Sequence, residues 1–321
     1  MKRRSGLGRG LLLGAGLAAM AYGCGSTGGG ISGTSLVSGP IEGFGSVVVD
    51  GIAFDTTTAT VLFEGNTADL DALDLGMVVV VRGSVAADRR SGRADVVAAD
   101  HLLFGTVDGV NRADASFAAL SQLVLTDSRT VFAGTSIAVL EAGDHVEVFG
   151  FVDADGAIRA TRVARVDELT EIEITGVISQ LDLGGSTFRI GALTVEFEPE
   201  VVENPPPGGL ADGLLVEVET DAQPVDDRIV ATGIEVPDPM LAADGDSVSV
   251  EGFVTAAVGG GEFVLNGSQR FRITEATRFD GGTAADLVAN ARVDIDGPRG
   301  SDGVISADEV EFVTPIERKR S

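Results

Sequence analysis

The chain has 321 residues but one cysteine, no tryptophan, one tyrosine and two histidines. Lysine occurs only at Lys2 and Lys319. Each scarcity excludes something. One thiol cannot close an intramolecular disulfide, so stability rests on packing even in an oxidising compartment. A phosphate-backbone binder needs a basic stripe that releases counterions, whereas 23 Lys+Arg stand against 49 Asp+Glu, a formal charge of −26. Single-strand and sugar platforms use stacking aromatics, and 15 Phe are nearly all the aromatics present. At 44% hydrophobic the chain is not a disordered acidic tail either, because such tails lack the apolar residues that offset ordering entropy.

Lys2, Arg3, Arg4 and Arg9 precede an apolar run from Leu11 to Ala21, the charged and apolar regions of a secretory leader. The run falls short of the about 20 residues that span a bilayer. Two cleavage readings stand. Ala19-Met20-Ala21 fits the small-x-small rule and would release a soluble protein beginning at Tyr22. Gly23-Cys24 instead resembles a bacterial lipobox, although Ala21 and Tyr22 stand where that motif prefers Leu and a small residue. Cys24 is the sole cysteine and a Gly/Ser/Thr tether follows it from Gly25 to Gly33, so Cys24 is the expected lipidation site. The resemblance implies a multiply acylated anchor, which holds stably where one chain would not. The expected address is the bacterial envelope, at the outer membrane, facing the periplasm or the cell surface. Removing residues 1–23 takes four cations with it and moves the charge from −26 to −30.

The body repeats itself, and repeats decide architecture. Val79-Val80-Val81-Arg82-Gly83 recurs as Val146-Glu147-Val148-Phe149-Gly150, as Val216-Glu217-Val218-Glu219-Thr220 and as Val293-Asp294-Ile295-Asp296-Gly297. Gly76, Gly143, Gly213 and Asn290 hold a fixed place before these runs. Ala94, Ala160, Ala231 and Ala307 follow at near-fixed spacing, each with a β-branched residue three positions on (Val97, Val163, Ile234, Val310). Alternation such as Val146-Glu147-Val148 is the period of a half-buried strand. Asp155-Gly156, Asp302-Gly303, Asp226-Asp227 and Ser91-Gly92 read as hairpin turns between the last two strands. Ala68 to Leu73 and Ala284 to Ala289 have short helical character. The order strand, strand, strand, short helix, strand, strand predicts an all-β chain of about four tandem OB-fold-like five-stranded barrels. Small sandwiches or a continuous β-solenoid are the alternative. A unit of about 60 residues buries too little surface to be secure alone, so neighbouring copies are expected to pack through their joins as a rod or an arc. The expected divisions are leader 1–23, tether 24–38, repeats 39–100, 101–167, 168–238 and 239–313, and basic tail 314–321. Asn204 to Gly209, with three prolines, is expected to protrude from the third repeat.

Gly43-Phe44-Gly45-Ser46-Val47-Val48-Val49-Asp50-Gly51-Ile52-Ala53-Phe54-Asp55 resembles the opening signature of the bacterial domain of unknown function family 5666. Leu140 to Gly150 and Asp155 to Ala160 resemble it further. The resemblance covers most of residues 39–167 and weakens in the last two copies. It implies envelope proteins, often lipoproteins, built of tandem small β domains, and no established activity or catalytic residue.

Other constellations carry little. Gly28 to Gly33 matches G-x-G-x-x-G, but a tether precedes it and no helix follows. His145 beside Asp144 has Val78, Leu215 and Arg292 as repeat equivalents, and His101 has Gly39, Ile172 and Val248, so both read as generic strand sites. Asp153-Ala154-Asp155-Gly156 and Asp69-Leu70-Asp71 are fragments of calcium loops lacking the remaining ligands, and read as a turn and a helix start. Arg159, Arg162 and Arg165, three residues apart on a predicted strand, do not share a face. Phe54, Phe117, Phe132, Phe188 and Phe279 are expected in the core, and Phe44 at a barrel end. No catalytic, cofactor-binding or metal-ligating residue is assigned, and Cys24 is the one site residue. The expected role is a non-catalytic binding or scaffolding arm held by its lipid, with an envelope protein as partner and no nucleic acid. The alternatives are a structural spacer without specific ligand and, last, a metal-assisted hydrolase.

Overall fold

The computed structural model describes residues 34–237 and 242–313, so the leader, Cys24, the Gly28 to Gly33 run and the basic tail lie outside the described residues. The described chain is all-β, with three single-turn 3-10 segments at Leu70–Ala72, Pro199–Val201 and Ala284–Asp286.

The second copy shows the plan. Leu103–Asn111 pairs antiparallel with Ser116–Ala119, which pairs antiparallel with Gln122–Leu125. Gln122–Leu125 and then Val131–Ala133 run parallel to Ile158–Val166. That strand pairs antiparallel with His145–Val152, which returns to Leu103–Asn111. The pairing thus closes on itself. The third and fourth copies repeat the cycle with the last strand broken, into Arg228–Val230 and Gly233–Glu235 and into Ile305–Ser306 and Glu309–Phe312. The first copy has the same order, Ser35–Pro40, Val78–Val85, Ser91–Ala99, Ile52–Asp55 and Val47–Val49.

One bond recurs at the same place in all four. The N–H groups of Gly76, Gly143, Gly213 and Asn290 donate to the carbonyls of Ile41, Val107, Ile178 and Val254, at 2.8–2.9 Å. The donors take φ of +80°, +92°, +87° and +67°, a left-handed conformation that glycine adopts freely and asparagine better than most. This explains why asparagine is the residue that replaces glycine there. The recurring alanines and their β-branched followers are all buried, Val97, Val163 and Val310 completely.

One expected turn and two expected helical stretches are corrected. In the first copy Ser91 and Gly92 already belong to the strand Ser91–Ala99, and the turn lies just before it, with Arg89 at φ +52°. The predicted helical stretches shrink to single turns: no residue within Leu70–Ala72 or Ala284–Asp286 is buried, and Leu73 alone of the first stretch is buried, so no apolar face extends them. Asn204 to Gly209 does bend outward, with Asn204, Gly208 and Gly209 at positive φ. Phe54, Phe117 and Phe188 are fully buried, Phe132 and Phe279 pack on the cores from partly buried positions, and Phe44 is half exposed.

The copies form neither a rod nor an open arc. Ser35–Pro40 of the first copy runs parallel to Ser247–Gly259 of the fourth, Ser35 opposite Ser247, joining both copies in one 14-stranded sheet. The second and third share a 13-stranded sheet through Leu103 and Phe104 against Ile174 and Glu173. The first and last copies of the sequence are therefore neighbours. Cores cross the joins too. Phe149 of the second copy is buried in the first copy's cluster, and Leu36 of the first in the fourth's. The second and third copies share a single cluster. Phe253 of the fourth copy packs near Phe151, with the guanidinium groups of Arg159 and Arg292 over its ring at 5.4 and 5.7 Å.

Candidate functional site

The strand register revises the alignment around His101. Gly39, Gly105, Gly176 and Gly252 stand opposite Val79, Val146, Val216 and Val293 respectively. His101, four residues before Gly105, therefore corresponds to Ser35 in the first copy rather than to Gly39, and to Ile172 and Val248 in the others.

His101 is no generic strand site. It lies in the connection between the first two copies and is only 2% exposed. Its ring stacks on Phe104 with centroids 5.3 Å apart and meets Phe149 edge-on at 6.3 Å. Three repeats deliver carboxylates to it. Glu64, in the hairpin between Thr60–Phe63 and Asn66–Ala68 of the first copy, places Oε1 2.7 Å from Nδ1 and accepts the His101 backbone N–H at 2.8 Å. Glu147, from the strand His145–Val152, lies 3.7 Å from Nδ1. Glu173, which opens the third copy's first strand and is itself nearly fully buried, places Oε1 3.3 Å from Nε2. None of these approaches aligns as a ring hydrogen bond, so both ring nitrogens and Glu173 Oε1 lack an aligned partner.

Charge accumulates around one imidazole. Burial alone would lower the His101 pKa, but Glu147, Glu173 and Glu64 overcome it and hold it well above the usual histidine value. Glu217, inward from the third copy, is driven up to about 9 by burial and then by Glu173 and Glu64. Glu173 is raised by burial, against the pull of His101, and titrates together with its neighbours. Two donor sets arise. Glu64, His101 and Glu173 each bring one donor atom within 4.8 Å of the others, and Glu173, Glu217 and Glu219 do likewise.

A second polar cluster seals the first and fourth copies. Arg89 Nη2 lies 3.1 Å from Asp50 Oδ2 and 2.7 Å from Asp296 Oδ1, and Ser249 Oγ donates to Asp50 Oδ2 at 2.9 Å. Asp294 is raised well above the carboxylate range by burial and by Asp50. Between the second and third copies opens a groove of about 520 Å³ lined by Asp108, Asp226 and Asp227 with Ser121, Leu123 and Pro224.

The remaining sequence candidates fall into structural roles. His145 Nδ1 lies 3.1 Å from Thr106 Oγ1 at a strand start. Asp153 is 3% exposed, and its carboxylate accepts from the Asp155 and Ala157 amides and from Arg159 Nε, closing the turn that ends with Gly156 at φ +79°. Asp69 precedes the single turn at Leu70–Ala72. Arg162 is buried and reaches into the first copy, donating to the Leu75 carbonyl at 3.0 Å and to Asp74 Oδ2 at 2.5 Å, while Arg165 pairs with Asp144.

Sequence reasoning passed over the cluster because its members come from positions 64, 101, 147, 173 and 217. A signal existed in part: Glu147 and Glu217 occupy one repeat position, which Val80 fills in the first copy and Asp294 in the fourth. What could not be read was which copies bring that position together.

No curated protein matches the chain. The family described as "Domain of unknown function (DUF5666)" matches it four times in tandem, over residues 36–95, 104–164, 166–235 and 242–311. Those segments cover most of the sequence and coincide with the four repeats of strands, and the chain belongs to that family.

Proposed function

We propose that the protein is a lipid-anchored envelope protein whose four repeats are OB-fold-like barrels fused into one rigid, non-catalytic block that binds or scaffolds a partner. The carrying observation is the continuity of the sheets: strands of the first copy pair with the fourth, and strands of the second pair with the third. Sheets that continue from copy to copy suit holding a partner at a set position. The cycle of strand pairing in the second, third and fourth copies, with parallel pairing of third and fifth strands in all four, supports an OB-like barrel. The burial of His101 supports a role without turnover, since a 2% exposed base meets no substrate. The groove lined by Asp108, Asp226 and Asp227 suits a cationic surface of the partner.

The test is cross-linking in intact envelopes followed by recovery of this chain. One stoichiometric partner, lost on Asp226→Lys with Asp227→Lys, supports the reading. Recovery of no partner favours a structural spacer. Cys24→Ser should move the protein from the membrane to the soluble fraction, and unchanged membrane retention would sink the anchor.

A further inference from the structure

We propose that Glu64, His101 and Glu173 bind one divalent transition ion, of the Zn²⁺ or Mn²⁺ kind, which ties the first three repeats together. The site goes beyond the scaffolding role and does not depend on a partner.

The geometry comes first. One donor atom from each of the three residues lies within 4.8 Å of the other two. Zinc takes nitrogen and oxygen ligands at about 2.0–2.2 Å, so small side-chain rotations close the set around an ion. The second observation is independent of the acidic character of the cluster. His101 is 2% exposed, yet neither ring nitrogen has an aligned hydrogen-bond partner, and neither does Glu173 Oε1. Polar atoms so deeply buried are almost always engaged, and an ion bound between them engages both residues at once.

Charge argues in the same direction. An imidazole that ligates gives up its proton, so a divalent ion would exchange one positive charge for two among Glu64, Glu147, Glu173 and Glu217. The donor set selects the ion. One imidazole with two carboxylates suits zinc or manganese, whereas calcium asks for about six to eight oxygens. The three ligands come from a hairpin of the first copy, the connection into the second and the first strand of the third, so occupancy couples all three.

The test uses the purified full chain in detergent, stripped with a chelator and titrated with ZnCl₂ or MnCl₂ in enough salt to screen exposed carboxylates. The expected result is one ion per chain that survives gel filtration. His101→Asn and Glu173→Gln should each weaken binding about 100-fold or more. Should either fail to fold, Glu64→Gln at the rim of the cluster gives the same readout. Absence of saturable uptake by the unaltered chain overturns the proposal. So does uptake that His101→Asn and Glu64→Gln both leave unchanged, because that is diffuse binding by the acidic surface. Calcium binding as tightly as zinc and manganese would overturn the choice of ion.

Discussion

At single residues the repeat is enforced by glycines of two kinds, and they should fail differently. At Gly150 a methyl group would lie 2.2 Å from the Arg159 carbonyl oxygen, across a bulge between Phe149 and Gly150. At Gly143, φ is +92° but the space beside it is open. Gly143→Ala should therefore cost about 1–2 kcal/mol, the left-handed penalty for an L-residue. Gly150→Ala must displace backbone and should cost more, at the upper end of the about 1–3 kcal/mol of overpacking or beyond. Urea unfolding of the two variants checks the order, and equal losses would contradict it. Asn290 combines both themes: it keeps the left-handed bond and also accepts from Ala154 N–H and donates to Asp155, both at 2.8 Å. Asn290→Gly should keep the turn yet lose about 1 kcal/mol of stability through those contacts. The turn was legible in the repeat pattern. The contacts were not, since Ala154 lies 136 residues away.

At the scale of elements, alternation and spacing sufficed for strand order, because each strand buries one face and shows it in sequence. The joins were illegible for the opposite reason: Arg162 and His101 look like isolated polar residues until another copy is placed against them. Arg162→Ala would leave the Leu75 carbonyl and Asp74 without their partner and should cost on the order of 1–3 kcal/mol. Thermal unfolding measures it, and a loss indistinguishable from zero would show that the join does not depend on this contact. The carboxylate cluster should give a pH signature. A histidine held above its ordinary 6.5 stabilises the fold fully below that value and loses the effect as pH climbs through its folded value. Glu217, raised from 4.5 to about 9, acts in the same sense, because the folded state holds its proton more tightly across that window. Stability of the metal-free chain should fall from about pH 5 to about pH 9, and the slope should flatten in Glu217→Gln. Denaturant titrations across the range decide, and stability that rises toward pH 9 would contradict the burial of this cluster.

At the scale of the whole molecule, the chain order of the copies misleads. A rod is the natural expectation for tandem repeats whose sequence neighbours must share surface. Here the first copy pairs with the fourth, and Asn290 and Phe253 bring the fourth against the second. The small core of each repeat, marginal alone, is completed by side chains such as Phe149 and Leu36 from other copies. This closure joins four small units through shared sheets and shared cores. Ser35 and Ser247 face each other across the closing strand pair, at the about 5 Å separation of neighbouring strands, a distance a disulfide can span. In a Cys24→Ser background, Ser35→Cys combined with Ser247→Cys should oxidise to an intramolecular cross-link in monomeric protein. A chain that forms no cross-link, or only cross-links between molecules, would contradict the closure.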